Sequence, residues 1–105
     1  MRSSSRPVRR LLAWSALGLA GAALAATGGY AWIGLGVAAA FPAKLACSCL
    51  HVERRELAAC REDVAHQGFG WVSLSVEPAT GAVRARAAVR SARAVPVEGG
   101  GCVLR

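Results

Sequence analysis

No acidic residue occurs before Glu53, and no charge of either sign lies between Arg10 and Lys44. Lysine is all but missing, since Lys44 is the only one. A stretch with so little charge does not supply the solvated surface of a soluble domain. The chain also lacks S-x-x-K, G-x-S-x-G and H-E-x-x-H patterns and any glycine-rich phosphate loop. No activated nucleophile, zincin helix or nucleotide cradle is therefore implied. It has neither a C-x-x-C knuckle nor the C-x-x-C-H of haem attachment, so no cofactor is indicated. Of the net charge of +7, four positive charges sit on Arg2, Arg6, Arg9 and Arg10, and only +3 is left for residues 44–105. That remainder is dispersed and has no aromatic groove beside it, which argues against a nucleic-acid partner.

What is present begins with 33 uncharged residues, Leu11 to Ala43. About 20 apolar residues span a bilayer as a helix, so the run is long enough. The arginines before it place residues 1–10 in the cytoplasm and the rest outside, by the positive-inside bias. Tyr30 and Trp32 suit an outer interfacial anchor, and Pro42 is a natural stop. Gly18 and Ala22 have the spacing of a small-residue helix contact, which so alanine-rich a run produces by chance. A second possibility is a cleaved signal peptide, with Ala23-Leu24-Ala25 at the cut and Arg9-Arg10 as a poor twin-arginine match. Apolar character resumes at Tyr30–Phe41, where a mature secreted chain would turn polar, and this favours retention. The expected partner of this segment is the lipid bilayer. Richness in arginine, alanine and glycine points to a GC-rich bacterial genome, hence to an inner-membrane protein with a periplasmic domain.

Residues 44–105 are expected to form one small domain. Leu45–Val52 is expected as a strand, and Glu53–His66 as an amphipathic helix with Leu57, Cys60 and Val64 inward. Glu53 and Glu56 suit the positive end of that helix, and Gly68 stops it. Trp71–Val76 alternates, with Val72, Leu74 and Val76 inward. Glu77-Pro78-Ala79-Thr80-Gly81 is turn chemistry. Ala82–Val89 alternates again, with Val83, Ala85, Ala87 and Val89 on one face and Arg84 and Arg86 on the other. Arg90–Val97 is less regular, because Pro96 is allowed only at an edge or a strand start. Gly99-Gly100-Gly101 precedes a last strand, Cys102–Leu104. The fold class is α+β: an N-terminal transmembrane helix followed by a β-α-β-β-β domain, one helix against a sheet.

A domain of this size sits at the margin of stability and is expected to be stapled. Outside the cytoplasm an even cysteine count is most often a disulfide framework. A Cys47–Cys49 bond would close too small a ring. From Cys49 a strand advances about 13 Å to Glu53, and the helix returns about 9–10 Å to Cys60. Cys60 is thereby nearer Cys49 than Cys47, which gives Cys49–Cys60 and Cys47–Cys102. The rival use of these residues is a metal site, since Cys47, Cys49 and His51 would share one side of a strand and suit copper or zinc. His66 is expected to be solvated, and Trp71 to lie in the core or at its rim. Glu62 and Asp63 point apart on a helix and suit a solvated face. Ser48 has no base implied near it. Arg84, Arg86, Arg90 and Arg93 form either a solvated stripe or a contact with anionic lipid headgroups.

The segment Lys44-Leu45-Ala46-Cys47-Ser48, the hairpin with its x-x-T-G-x-V turn, and the closing Gly101-Cys102-Val103-Leu104 resemble the N-terminal region of a family. The family is the membrane-anchored bacterial serine hydrolases of β-lactamase fold, of the 6-aminohexanoate-dimer hydrolase type. The resemblance covers about residues 40–105 and implies a leader helix and a cysteine-bearing segment ahead of a catalytic domain. Its two cysteines correspond to Cys47 and Cys102, with Cys49 and Cys60 as an extra pair. No nucleophile, lysine or tyrosine of that family has a counterpart here, since the chain stops where the catalytic domain would begin. The expectation is a non-catalytic, membrane-anchored envelope protein with a structural or interaction role, partnered by a hydrolase or another envelope protein. The alternatives are a truncated or split serine hydrolase and a periplasmic metal-binding module.

Overall fold

A computed structural model describes residues 2–105; Met1 and the side chains of residues 1–4, with Arg2 of the basic segment among them, lie outside the described residues. Helix α1 runs Arg2–His51 and is, among the described residues, the one helix long and apolar enough to cross a membrane. The chain divides into two compact units, Met1–Ala31 and Trp32–Arg105.

In the first unit every side chain from Ser5 to Ala31 is exposed, leucines and Trp14 included. Its uncharged part, Leu11 to Ala31, is 21 residues, or about 32 Å of helix. A hydrocarbon core is about 30 Å thick, so this unit alone suffices for a span. Thr27 turns its hydroxyl back onto the carbonyl of Ala23 at 2.8 Å, which satisfies its one polar group within the helix.

The second unit holds the end of α1, then α2 (Leu57–Val64) continued by a π-helical turn (Ala65–Phe69), and four strands. These are β1 (Ser73–Val76), β2 (Val83–Ala87), β3 (Arg90–Pro96) and β4 (Cys102–Leu104). They form one antiparallel sheet in the order β1-β2-β3-β4, a meander joined by short turns. The α+β class stands.

The first expected strand does not form. Leu45–Val52 is helical as far as His51, and the order after α1 is α-β-β-β-β. An apolar run of eight residues fits a buried helix as well as a strand, and its neighbours decide. Ala39, Ala43, Ala46 and Cys47 recur at helical spacing and are all fully buried, so α1 gains a packed face by continuing. Pro42, expected to stop the helix, lies inside it. A proline there costs about 3 kcal/mol in a lone helix, and its complete burial against the domain offsets that cost.

Helix α1 ends where Arg54 takes a positive φ of 55° and turns the chain, with the Arg55 N–H donating to the Cys49 carbonyl at 3.1 Å. That turn uses up Glu53 to Glu56, so α2 starts at Leu57 rather than at Glu53. Gly68 closes it with φ 89°, as its position led one to expect. Along β2 the expected alternation holds through Ala87, then fails. Ala88 has φ 53° and turns the chain, leaving Val89 74% exposed instead of facing inward. Val76, also expected inward, is exposed at the end of β1. The irregular segment Arg90–Pro96 is an interior strand, and Pro96, expected only at an edge or a strand start, is instead its last residue, where the missing N–H falls at the end of the ladder.

The core is made of small residues. Ala39, Ala43 and Ala46 of α1, with Ala85, Ala87 and Ala94 of the sheet, have no exposed surface, nor have Val83, Cys47 or Cys60, and Val64 and Pro42 are all but covered. No aromatic ring lies among the buried residues. Alanine facing alanine brings helix and sheet close together but buries little area per residue, so burial alone stabilises this domain weakly.

Candidate interaction site

Two residues apart on a helix means about 200° of rotation, so Cys47 and Cys49 leave α1 on opposite sides. Cys47 bonds Cys102 of β4, with Cα atoms 6.2 Å apart and a sequence separation of 55. Cys49 bonds Cys60 of α2 at a Cα separation of 5.8 Å, across 11 residues. The pairs are those expected, although the path that joins them is helical and not the extended one used to derive them. Helix α1 is thus clamped between the last strand and the second helix.

The same geometry removes the proposed metal triad. Cys47, Cys49 and His51 do not share a face, and both sulfurs are in disulfides. His51 instead donates from Nε2 to the carbonyl of Gly81 at 2.6 Å, tying the end of α1 to the β1–β2 turn. Gly81 has φ 73°, and a Cβ there would come within 2.9 Å of the His51 ring, so both backbone and contact require glycine. Cys49, Glu53 and Asp63 converge nearby. The Cys49 sulfur is committed to Cys60, and Asp63 is paired with Arg55, so the group offers no thiolate to a metal.

The arginine stripe is divided. Arg84 and Arg93 face each other across β2 and β3, a repulsive register by itself. Glu77, at the end of the neighbouring strand, accepts from both: from Arg93 at 2.7–3.0 Å and from Arg84 at 3.2 Å, with the Thr80 hydroxyl adding a bond at 3.0 Å. Those hydrogen bonds, Arg93 first and Thr80 second, hold the Glu77 carboxyl down at about 2 from an ordinary 4.5. Arg93 is raised in return by the same bond. At the other end of the hairpin Arg90 stacks on the Trp32 ring, 4.4 Å from its centroid, and donates to the Trp32 carbonyl at 3.0 Å. Arg86 donates to the Ala88 carbonyl at 3.1 Å.

Along α1 an open apolar groove of about 440 Å³ runs over Val37, Phe41, Leu45 and Ser48, with Leu104 of β4 as its far wall. Phe41 is steadied by the Phe69 ring, the centroids 5.4 Å apart. Lys44 lines the groove one helical turn before Ser48 and is exposed. Elsewhere His66 and Glu62 are exposed, as expected of solvated residues, while Asp63 is half-buried beside Arg55. Trp71 is 57% exposed and belongs to neither core nor rim.

Sequence reasoning missed two of these arrangements. The Glu77 network had a usable signal, because hairpin register sets Arg84 opposite Arg93 with an acid at the adjoining strand end. The Arg90–Trp32 contact joins residues 58 apart and has no local signature. Compared with known proteins, the chain matches no family model, no curated protein and no solved structure.

Proposed function

We propose that this protein is a non-catalytic, membrane-anchored adaptor that exposes a disulfide-braced domain outside the cytoplasm and holds the helix of another envelope membrane protein alongside α1. Anchoring rests on the exposed, uncharged Leu11 to Ala31 segment, with Arg6, Arg9 and Arg10 before it. Export rests on the two disulfides, which persist in oxidising compartments. The orientation that follows has the N-terminus in the cytoplasm and the domain periplasmic. The hydrolase resemblance supplies one kind of partner, a membrane-anchored hydrolase.

The observation that carries the interaction role is the groove on α1. Val37, Phe41 and Leu45 are spaced at four residues along one side of the helix and stand next to Leu104. This apolar stripe lies directly after the span in sequence, where a partner leaving the same bilayer would run beside it. A photo-crosslinking residue at position 41 of the full chain, activated in intact membranes, tests the assignment. An adduct with one membrane protein is expected, and it should disappear when Val37 and Leu45 are replaced by glutamate. Adducts with lipid alone, or an adduct indifferent to those replacements, would overturn it.

A further inference from the structure

The β2–β3 turn is a surface without an assignment. Ala87 pairs with Arg90, so Ala88 and Val89 form a two-residue tip, and Val89 is 74% exposed. Arg86 and Arg90 flank it, and among the described residues neither pairs with a carboxylate. At the other end of the sheet Glu77 is ion-paired with both Arg84 and Arg93. One hairpin therefore has an end whose arginines share a carboxylate and an end whose arginines have none and which carries an exposed apolar residue.

Position gives that asymmetry a meaning. Arg90 lies on Trp32, and its guanidinium is so close to Gly36 that a Cβ there would come within 3.0 Å of it. The cationic tip is thus held at the level of Trp32 to Gly36, the first residues of the second unit, which continue the uncharged run directly after Ala31. Trp71 belongs to the same end of the sheet: it precedes Ser73 by two residues, and Ser73 is the partner of Arg86. Two exposed tryptophans, an exposed valine and two arginines free of acids are the components of an interfacial contact. Indole rings settle among headgroups, and arginines near an anionic surface are drawn to it electrostatically.

We infer that the end of the domain formed by Trp71 and the Arg86–Arg90 turn seats on the headgroup layer of an anionic bilayer, with Val89 entering the interface. This rests on the reading of Leu11 to Ala31 as a membrane span. It turns a tethered domain into one held in a fixed attitude on the membrane, stabilised by lipid on one side.

Isotope-labelled full chain in nanodiscs of phosphatidylcholine and phosphatidylglycerol, doped with a headgroup-chelated gadolinium lipid, tests the inference by nuclear magnetic resonance. The Val89 amide and Trp71 indole should relax severalfold faster than Thr80 and Gly99 at the other end of the sheet. Omitting phosphatidylglycerol, raising the salt, or combining Arg86→Glu with Val89→Asp should each reduce the enhancement. Equal relaxation at Val89 and Thr80, with the amides of Leu17 to Leu24 still protected from water, would overturn the inference and leave the span intact. Amides of Leu17 to Leu24 that exchange freely would overturn both. Enhancement at Val89 from a paramagnetic second copy of the chain, and none from lipid, would assign the tip to self-association and overturn the inference as well.

Discussion

Glu77 is the residue on which the outer face of the sheet depends. Its carboxylate is the only acid holding Arg84 and Arg93 together across β2 and β3 among the described residues. A carboxyl held at about 2 against an ordinary 4.5 stabilises the fold fully above pH 4.5 and loses that contribution as the pH falls toward 2. Wild-type protein should therefore weaken steeply across that window. Glu77→Gln should be weaker at neutral pH and flatter below pH 4.5, as urea unfolding at a series of pH values would show. Two backbone positions make opposite predictions. Gly81→Ala sets a side chain at φ 73° and against His51, so it should cost about 1–2 kcal/mol or more. Ala88 already occupies φ 53°, and Ala88→Gly should gain a few tenths of a kcal/mol up to about 1, the relief of strain exceeding the added chain entropy. Denaturant midpoints of the two variants give both signs.

Among the elements, the hairpin and the last strand were legible because alternation, turn chemistry and a glycine run agree at Leu74, Thr80-Gly81 and Gly99–Gly101. The end of α1 was not. Its cysteines, Leu45 and Leu50 make an apolar run of ambiguous period, and only the sheet it packs on selects the helix. Pro42 misled for the same reason, because its burial is a tertiary fact. The Arg90–Trp32 contact was out of reach, since register within the hairpin says nothing of which helix residue lies below its tip. The cystine pairs were reachable because path length constrains them, and helix and strand alike set Cys60 beside Cys49. The two bridges should differ in effect. In the loop-entropy account, closing 55 residues contributes about 4 kcal/mol and closing 11 about 3. Cys102→Ala should release β4 and loosen the whole sheet, whereas Cys60→Ala should mainly free α2. Amide hydrogen exchange of the two variants separates these outcomes: protection should be lost in β2 and β3 for the first, and confined to residues 57–69 for the second.

At the scale of the molecule, a core of alanine, valine and cystine suits a covalently braced domain, which is what the proposed anchoring and export call for. Full-length protein should remain in the membrane fraction after alkaline washing, with a C-terminal reporter active only outside the cytoplasm; a mature N-terminus at Ala26 would refute retention. Purified chain should turn over no amide, ester or β-lactam. Turnover abolished by Ser48→Ala would assign the Lys44–Ser48 turn of α1 a chemistry that the exposed lysine gives no reason to expect. The connectivity has one more consequence, in the order of biogenesis. The bridges are nested, Cys49–Cys60 lying inside Cys47–Cys102. With the N-terminus kept in the cytoplasm, the residues after the span cross in sequence order and present Cys47 and Cys49 together, then Cys60, and Cys102 last of all. An oxidase acting on cysteines as they emerge can join Cys60 to Cys47 as well as to Cys49 before Cys102 is out. Maturation of this protein should therefore depend on a disulfide isomerase and not on an oxidase alone, and in a strain lacking one, mispaired forms should accumulate.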